Sequence, residues 1–494
     1  MVFSSHLFLF YFLPLALLLY FAAPMKFRNI VLTVVSYVFY GWANPLFVVL
    51  MLVSTLIDYV CGLVLVSGLQ DQLPDRIPIL SKSEGRTIRQ KTALVCSIVA
   101  NLSLLGFFKY WNFGAETLRQ LAEAAGWTLF EPGDVLHVVL PLGISFYTFQ
   151  SMSYCIDVYR GDARAIRSFW DFACYVSMFP QLVAGPIVRF HDVSRQLQSR
   201  VHTADRISRG VCSFSLGLAK KVLIADALSP AADLVFAAES PSFSAAWLGV
   251  IAWAFQIYFD FSGYSDMAVG LGWILGFDFC PNFDRPYRAI GMADFWRRWH
   301  MSLSGWLRDY LYIPLGGNRC GSVRTSGNLL AVMLIGGLWH GAAWTYVIWG
   351  GLHGLLLLLE RLLLPRRTRP VAVEQSSAAS VRRLSIQLLT FLIICLTWVP
   401  FRASSVNEAG QLFAALLGFG RRDGATLLVD ALVRQPWTLW MLGLAAVIVW
   451  TAPQSRDFVA QLTLWRVVVC LALLCVSVLI LTLQVQQPFI YFMF

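Results

Sequence analysis

The sequence predicts an all-α, polytopic membrane protein. Three observations carry this. Hydrophobic residues make up 58% of the 494 residues and charged residues only 13%, roughly half the share of a soluble domain. Apolar runs of about 17 to 25 residues, long enough to cross a bilayer core as helices, recur from one end to the other. Lys and Arg gather in alternate loops between those runs, as the positive-inside rule requires of one cytoplasmic face. That placement accounts for the net charge of +10, so no nucleic-acid partner is implied.

The first apolar run, about 7–23, reads as a retained helix. The preceding residues, Met1 to His6, hold no basic cluster, and no Ala-x-Ala cleavage site occurs before Lys26. Lys26 and Arg28 then mark a cytoplasmic loop. Helices at about 30–43 and 46–66 follow, turned by Asn44-Pro45. Arg76, Lys82, Arg86, Arg89 and Lys91 fall two crossings later, on the same side as Lys26. The next crossing is 92–110, with 111–134 outside. A helix at about 135–158 returns to Arg160, Arg164 and Arg167.

The segment 169–188 is apolar, yet Pro180 and Gly185-Pro186 interrupt it and arginines flank both ends. Two re-entrant half-helices satisfy the charge rule where a straight crossing breaks it. Broken backbone at depth must be covered by protein or line a cavity. Two crossings follow, at about 210–236 and 244–278. Residues 281–327 mix arginines with Tyr287, Trp296, Trp299, Trp306, Tyr310 and Tyr312, which suits helices lying at the membrane interface. The stretch 328–364 reads as a hairpin between two cytoplasmic loops, the second holding Arg366, Arg367, Arg369, Arg382 and Arg383. Crossings at about 384–401, 437–452 and 467–486 complete a count of about 10 to 12 spanning helices. The whole chain, 1–494, reads as one domain: N-terminal helices 1–160, a core 161–365 and C-terminal helices 366–494. No internal or inverted repeat is visible, which weighs against a polysaccharide transporter or channel.

The chemistry concentrates in Gly337-Leu338-Trp339-His340-Gly341-Ala342. An ionisable side chain deep in a membrane span is a functional-site hypothesis, because its burial costs several kcal/mol. His340 lies about 18 Å into the hairpin at a helical rise of 1.5 Å per residue. Its neutral imidazole suits a general base; the competing reading is a packing histidine bonded to a neighbouring carbonyl. Small neighbours leave room beside it. His300, in Phe295-Trp296-Arg297-Arg298-Trp299-His300, reads as a second polar group that orients the base or the acceptor, or as an interfacial histidine. His353, thirteen residues past His340, points away from it on a continuous helix. Asp260 and Asp266 interrupt an apolar segment and call for a buried cation, Arg297 or Arg308. Asn282 and Arg298 are candidates to hold a substrate carbonyl or phosphate.

Nucleotide hydrolysis, hydride transfer and zinc hydrolysis have no motif here. The ten cysteines lie mostly singly inside apolar segments, so neither a disulfide framework nor a metal site is expected.

These stretches resemble the membrane-bound O-acyltransferase family. The resemblance covers nearly the whole chain, from Met1-Val2-Phe3-Ser4-Ser5 through Pro141-Leu142-Gly143-Ile144-Ser145-Phe146-Tyr147 to Pro488-Phe489-Ile490-Tyr491-Phe492. Its most specific parts are 294–312 and Leu338-Trp339-His340-Gly341, and it is closest to members that serve alginate O-acetylation. It implies tilted helices around a tunnel, with His340 as the catalytic histidine and His300 as the second tunnel histidine. Trp339, Trp296, Arg298, Asn282, Asp266 and Tyr310 would line the tunnel. It further implies acetyl-CoA as a cytoplasmic donor and no bound cofactor. The acceptor would be a periplasmic soluble O-acetyltransferase that modifies alginate, or equally cellulose or peptidoglycan, at the inner membrane of a bacterium. A scaffold that only recruits that partner is the remaining alternative.

Overall fold

The computed structural model describes all residues except 1, 43, 68–78, 128–135, 364–376, 421–423, 484–488 and 491–494. Arg76, Arg366, Arg367 and Arg369 of the basic loops, and Pro488, Tyr491 and Phe492, therefore lie outside the described residues. Every regular element among the described residues is helical. The chain divides into two units, Met1–Val211 with Ala268–Cys280, and Cys212–Met267 with Pro281–Phe494.

The first unit holds α1 (Leu13–Ala22), α2 (Arg28–Gly41), α3 (Pro45–Leu65), α4 (Ile88–Ala124), α5 (Ile144–Arg160), α6 (Phe169–Ser177), α7 (Phe179–Leu182) and α8 (Phe190–Gln198), and α9 (Ala204–Ala219) begins in it. Local chemistry sets the starts. The Asn44 side chain accepts from the Leu46 N–H with Pro45 in the first turn. Thr87 and Gln90 form a capping box for α4. That helix runs on to Ala124, through residues the sequence reading left outside. Residues 115–124 are good helix formers without Pro or Gly, and Arg119 pairs with Glu116 and Glu123 one turn away on either side. Conversely α5 starts at Ile144, not near 135, because Pro141 and the left-handed Gly143 (φ 75°) precede it.

The break expected in 169–188 is present. Met178 ends α6, and α7 takes Pro180 in its first turn. Residues 172–188 are all buried. The freed polar groups close on one another: Gln181 Nε2 donates to the Tyr175 carbonyl at 2.6 Å, and the Tyr175 hydroxyl donates to Val188 O at 2.9 Å. Protein therefore covers the broken backbone, as depth requires. Nearby, His191 donates to Asp157 at 2.8 Å and lies 3.2 Å from Asp192. These two carboxylates raise its imidazole to about 9, Asp157 contributing more. The buried Asp58 on α3, which the sequence reading passed over, accepts from Ser97, Asn101 and Ser151.

The second unit contains a π-helical turn, Lys220–Ala225, that leads into α10 (Asp226–Ala237), and most of α11 (Phe243–Leu275). The short α12 (Met292–Arg298) and α13 (Met301–Leu307) follow, then α14 (Gly321–His340), α15 (Trp344–Leu363), α16 (Ser377–Arg402), α17 (Val406–Leu416), α18 (Gly424–Val433), α19 (Pro436–Thr451), α20 (Ser455–Val459) and α21 (Leu464–Leu483). Its core is aromatic: Trp253, Trp349, Trp398 and Tyr287 are fully buried. By length and composition alone, five described helices are long and apolar enough to cross a membrane, six if the bent pair 426–433 and 436–451 is one span. The other crossings of the sequence count fall on shorter or more polar helices, such as α9 and α14.

The hairpin expected at 328–364 is α14 and α15, packed antiparallel at a glycine contact. A Cβ on Gly350 would lie 2.4 Å from the Met333 carbonyl oxygen, and one on Gly337 would lie 2.3 Å from that of Tyr346. Gly350→Ala is therefore expected to force the helices apart and cost about 1–3 kcal/mol, read as a lowered melting temperature in detergent. Gly351→Ala is the control. Its added carbon meets only Leu334, at 3.7 Å, and it should hold or raise stability.

Candidate active site

His340 is the last residue of α14, and Gly341 leaves the helix in an extended conformation. The residue is 8% exposed. It meets Trp349 edge-on at 5.1 Å between centroids, Phe401 at 5.4 Å and Trp339 at 5.0 Å. Two of the small residues around it are closely packed. Gly341 lies under the Tyr346 ring, where a Cβ would come within 2.0 Å, and Gly337 is spent on the helix crossing.

His300 joins α12 to α13 with left-handed backbone, φ 43° and ψ 53°. For a residue with a Cβ this costs about 1–2 kcal/mol, and such strain gathers at functional sites. The segment 282–284 holds it in place. Met301 N–H donates to Asn282 O at 2.9 Å, Ser302 N–H to Asn282 Oδ1 at 3.3 Å, and Asp284 N–H to Arg298 O at 2.9 Å. The ring is fully buried and packs edge-on against Phe261 at 4.7 Å.

The two histidines, forty residues apart in sequence, meet in space. Their ring centroids are 6.2 Å apart and inclined at 60°, close enough for both to contact one small substrate group. Trp339 lies 6.0 Å from His300 as well as beside His340. Aromatic rings pack against both members of this pair, which are buried, a setting that suits proton transfer in a low-dielectric site.

The other predicted residues divide. Trp296 is on α12, 5.8 Å from Trp349, and its indole N–H donates to His353 Nδ1 at 3.2 Å. His353 does not turn away on a continuous helix, because residues 341–343 interrupt it. Trp349 stands between it and His340, 4.7 Å from the one ring and 5.1 Å from the other. Asn282 acts on the His300 turn, its Oδ1 accepting from the Ser302 N–H and hydroxyl. Arg298 pairs with Asp294 at 3.0 Å and Asp284 at 3.6 Å. Tyr310 packs on Trp306 at 5.1 Å.

The cations that meet buried Asp260 and half-buried Asp266 are not arginines. Asp266 pairs with Lys220 at 2.6 Å and accepts from Ser455 Oγ. Asp260 pairs with Lys221 at 2.6 Å and accepts from the Ile490 N–H at 2.9 Å. Lys221 also reaches Asp226 at 2.8 Å. Arg297 and Arg308 pair with their neighbours Asp294 and Asp309. The signal was present as two consecutive lysines inside the apolar run 210–236, since buried lysines need acids. Among the described residues no three His, Cys, Asp or Glu come together as a metal-ligand set.

Comparison with known proteins gives the family of the chain. Residues 163–399, which include both histidines, match the MBOAT, membrane-bound O-acyltransferase family. The chain is 45% identical over 424 residues to the probable alginate O-acetylase AlgI of Azotobacter vinelandii, covering 85% of this chain and 79% of that protein. It is 42% identical to the Pseudomonas putida protein of the same description, over the full length of both. A peptidoglycan O-acetyltransferase of Helicobacter pylori is 35% identical over 85% of this chain and 80% of its own. With long apolar helices and relatives matched along most or all of their length, this multi-pass membrane protein belongs to the membrane-bound O-acyltransferase family.

Proposed function

We propose that this protein passes acetyl groups across a bacterial inner membrane for O-acetylation of an exported polysaccharide, alginate before others. The observation that carries the proposal is the His300–His340 pair, 6.2 Å apart behind aromatic walls, in a chain 42–45% identical to probable alginate O-acetylases. His340 is the general base. It takes the proton from an acceptor hydroxyl as the oxygen bonds to the acetyl carbonyl carbon of cytoplasmic acetyl-CoA. The thioester C–S bond breaks, and the proton returns to the leaving thiolate. His300, fixed by its own strained turn, orients the reacting group. In this reading the pair sits at the constriction of a tunnel, with the donor at the cytoplasmic end and a periplasmic soluble acetyltransferase as acceptor at the other. Trp339 and Trp296 are the lining residues nearest the reaction. Asn282, Arg298, Asp266 and Tyr310 hold the surrounding structure.

A second reading, peptidoglycan as the final polymer, is favoured only by the 35% identity to the Helicobacter pylori enzyme. The test is transfer from radiolabelled acetyl-CoA by the purified protein in liposomes, with candidate periplasmic acetyltransferases on the far side. Label on an acceptor supports the enzyme, and the acceptor labelled separates the polymers. Absence of label with every acceptor offered would leave the scaffold or transport reading in its place.

A further inference from the structure

We infer that His353 is a positioning residue that sets the spacing of the two active-site histidines. The inference rests on the acyl-transfer reading above for what that spacing does.

His300 sits between two seven-residue helices and His340 at the end of the twenty-residue α14, so something must hold those elements in register. One element that touches both is α15. Toward His340 it packs antiparallel on α14 through Gly350 and Gly337, with no room for a Cβ on either. Toward His300 it grips α12, the seven-residue helix that runs into the His300 turn, at two points. Glu360 accepts from the Met292 and Ala293 N–H groups at the start of α12. His353 accepts from the Trp296 indole N–H at 3.2 Å. His353 and Glu360 are seven residues apart on α15, two turns along one face, so they address one neighbour.

The hydrogen bond also defines the imidazole. An indole N–H only donates, so Nδ1 of His353 is the bare nitrogen and the ring is neutral with its proton on Nε2. The ring is fully buried, and Nε2 finds no partner among the described residues. A leucine would fill such a site without leaving a polar atom stranded, so the imidazole is used for its acceptor. The same ring contacts Trp349 at 4.7 Å, and Trp349 contacts His340 at 5.1 Å. His353 thus fixes Trp296 on the His300 side and supports Trp349 on the His340 side. It touches neither histidine's ring through a hydrogen bond of its own, which is why its role is positioning.

The test uses the full-length protein in liposomes. His353→Leu is expected to lower kcat about 10- to 100-fold, the scale of a misplacement near 1 Å, with KM for acetyl-CoA unchanged. His353→Asn should recover a large part of the loss, because its Oδ1 stands where Nδ1 stood. Trp296→Phe removes the donor, and the double variant should be no worse than the worse single one. Unchanged kcat in His353→Leu overturns the inference. So does an equal loss in the Asn and Leu variants, which a role in packing alone would produce. If His353→Leu fails to fold, Trp296→Phe decides in its place: unaltered kcat there overturns it. If the unaltered protein transfers no acetyl group, the reaction reading falls by itself. The melting-temperature cycle between Trp296→Phe and His353→Leu then decides: additive shifts overturn the bond, and less-than-additive shifts uphold it.

Discussion

His340→Gln is expected to lower acetyl transfer by about 100- to 10,000-fold, the range a positioned general base contributes. Glutamine is the informative replacement. It keeps a polar side chain among Trp339, Trp349 and Phe401, but it cannot take up a proton near neutral pH. Alanine would also open a hole beside those rings and cost stability through lost packing, which confuses the reading. The measurement is acetyl content of the exported polymer together with the amount of protein in the membrane. Near-normal acetylation at normal protein level would sink the assignment. His300→Gln should show a smaller loss if, as proposed, that residue orients the reacting group and His340 carries the proton.

Lys221→Met is expected to have the largest effect on stability. Lys221 is 2% exposed in its side chain and faces Asp260, 1% exposed, and Asp226, 13% exposed. Removing the shared cation leaves the buried carboxylate of Asp260 and the largely covered one of Asp226 without it. Breaking a buried pair this way costs about 3–5 kcal/mol, and here one cation serves two acids. Lys220→Met should cost less, since Asp266 is 23% exposed and keeps the Ser455 hydroxyl. The check is the melting temperature and the folded yield on size exclusion in detergent. An unshifted Lys221→Met variant would show that the acids find other partners. Asp260→Asn in the Lys221→Met background should restore part of the loss by removing one stranded charge.

The parts of this structure legible in the sequence are those governed by short-range chemistry. The 328–364 hairpin follows from an apolar run between basic loops, and the broken 169–188 segment from Pro180 and Gly185-Pro186. His340 and His300 stood out because an imidazole in an apolar or aromatic stretch is costly to keep. What the sequence hid depends on contacts between distant segments. Asp260 and Asp266 announced a need for cations, but spacing does not tell Lys220 and Lys221 from Arg297 and Arg308. The Trp296–His353 bond depends on where the hairpin turns, at 341–343, which puts His353 on the returning helix; an apolar run between basic loops implies a turn but does not say where it falls. The extension of α4 to Ala124 was lost for a different reason. A helix leaving a span keeps its backbone pattern while its side chains turn polar, so the end of an apolar run is not the end of a helix.

The lysine–aspartate pairs also bear on how the chain enters the bilayer. If 210–236 crosses the bilayer as its sequence implies, each charge near its centre adds about 2.5–3.5 kcal/mol to the free energy of membrane insertion, and Lys220 and Lys221 together would burden the segment by roughly 5–7 kcal/mol. Lys221 has one counterion, Asp226, in its own segment, but Asp260 and Asp266 arrive about forty residues later, on a helix that carries a similar burden alone. Neither segment gains from passing sideways out of the translocon first. The two are better lodged when they leave it as a pair already neutralised, so a delay between them, rather than a fault in either, is the step at which biogenesis would fail.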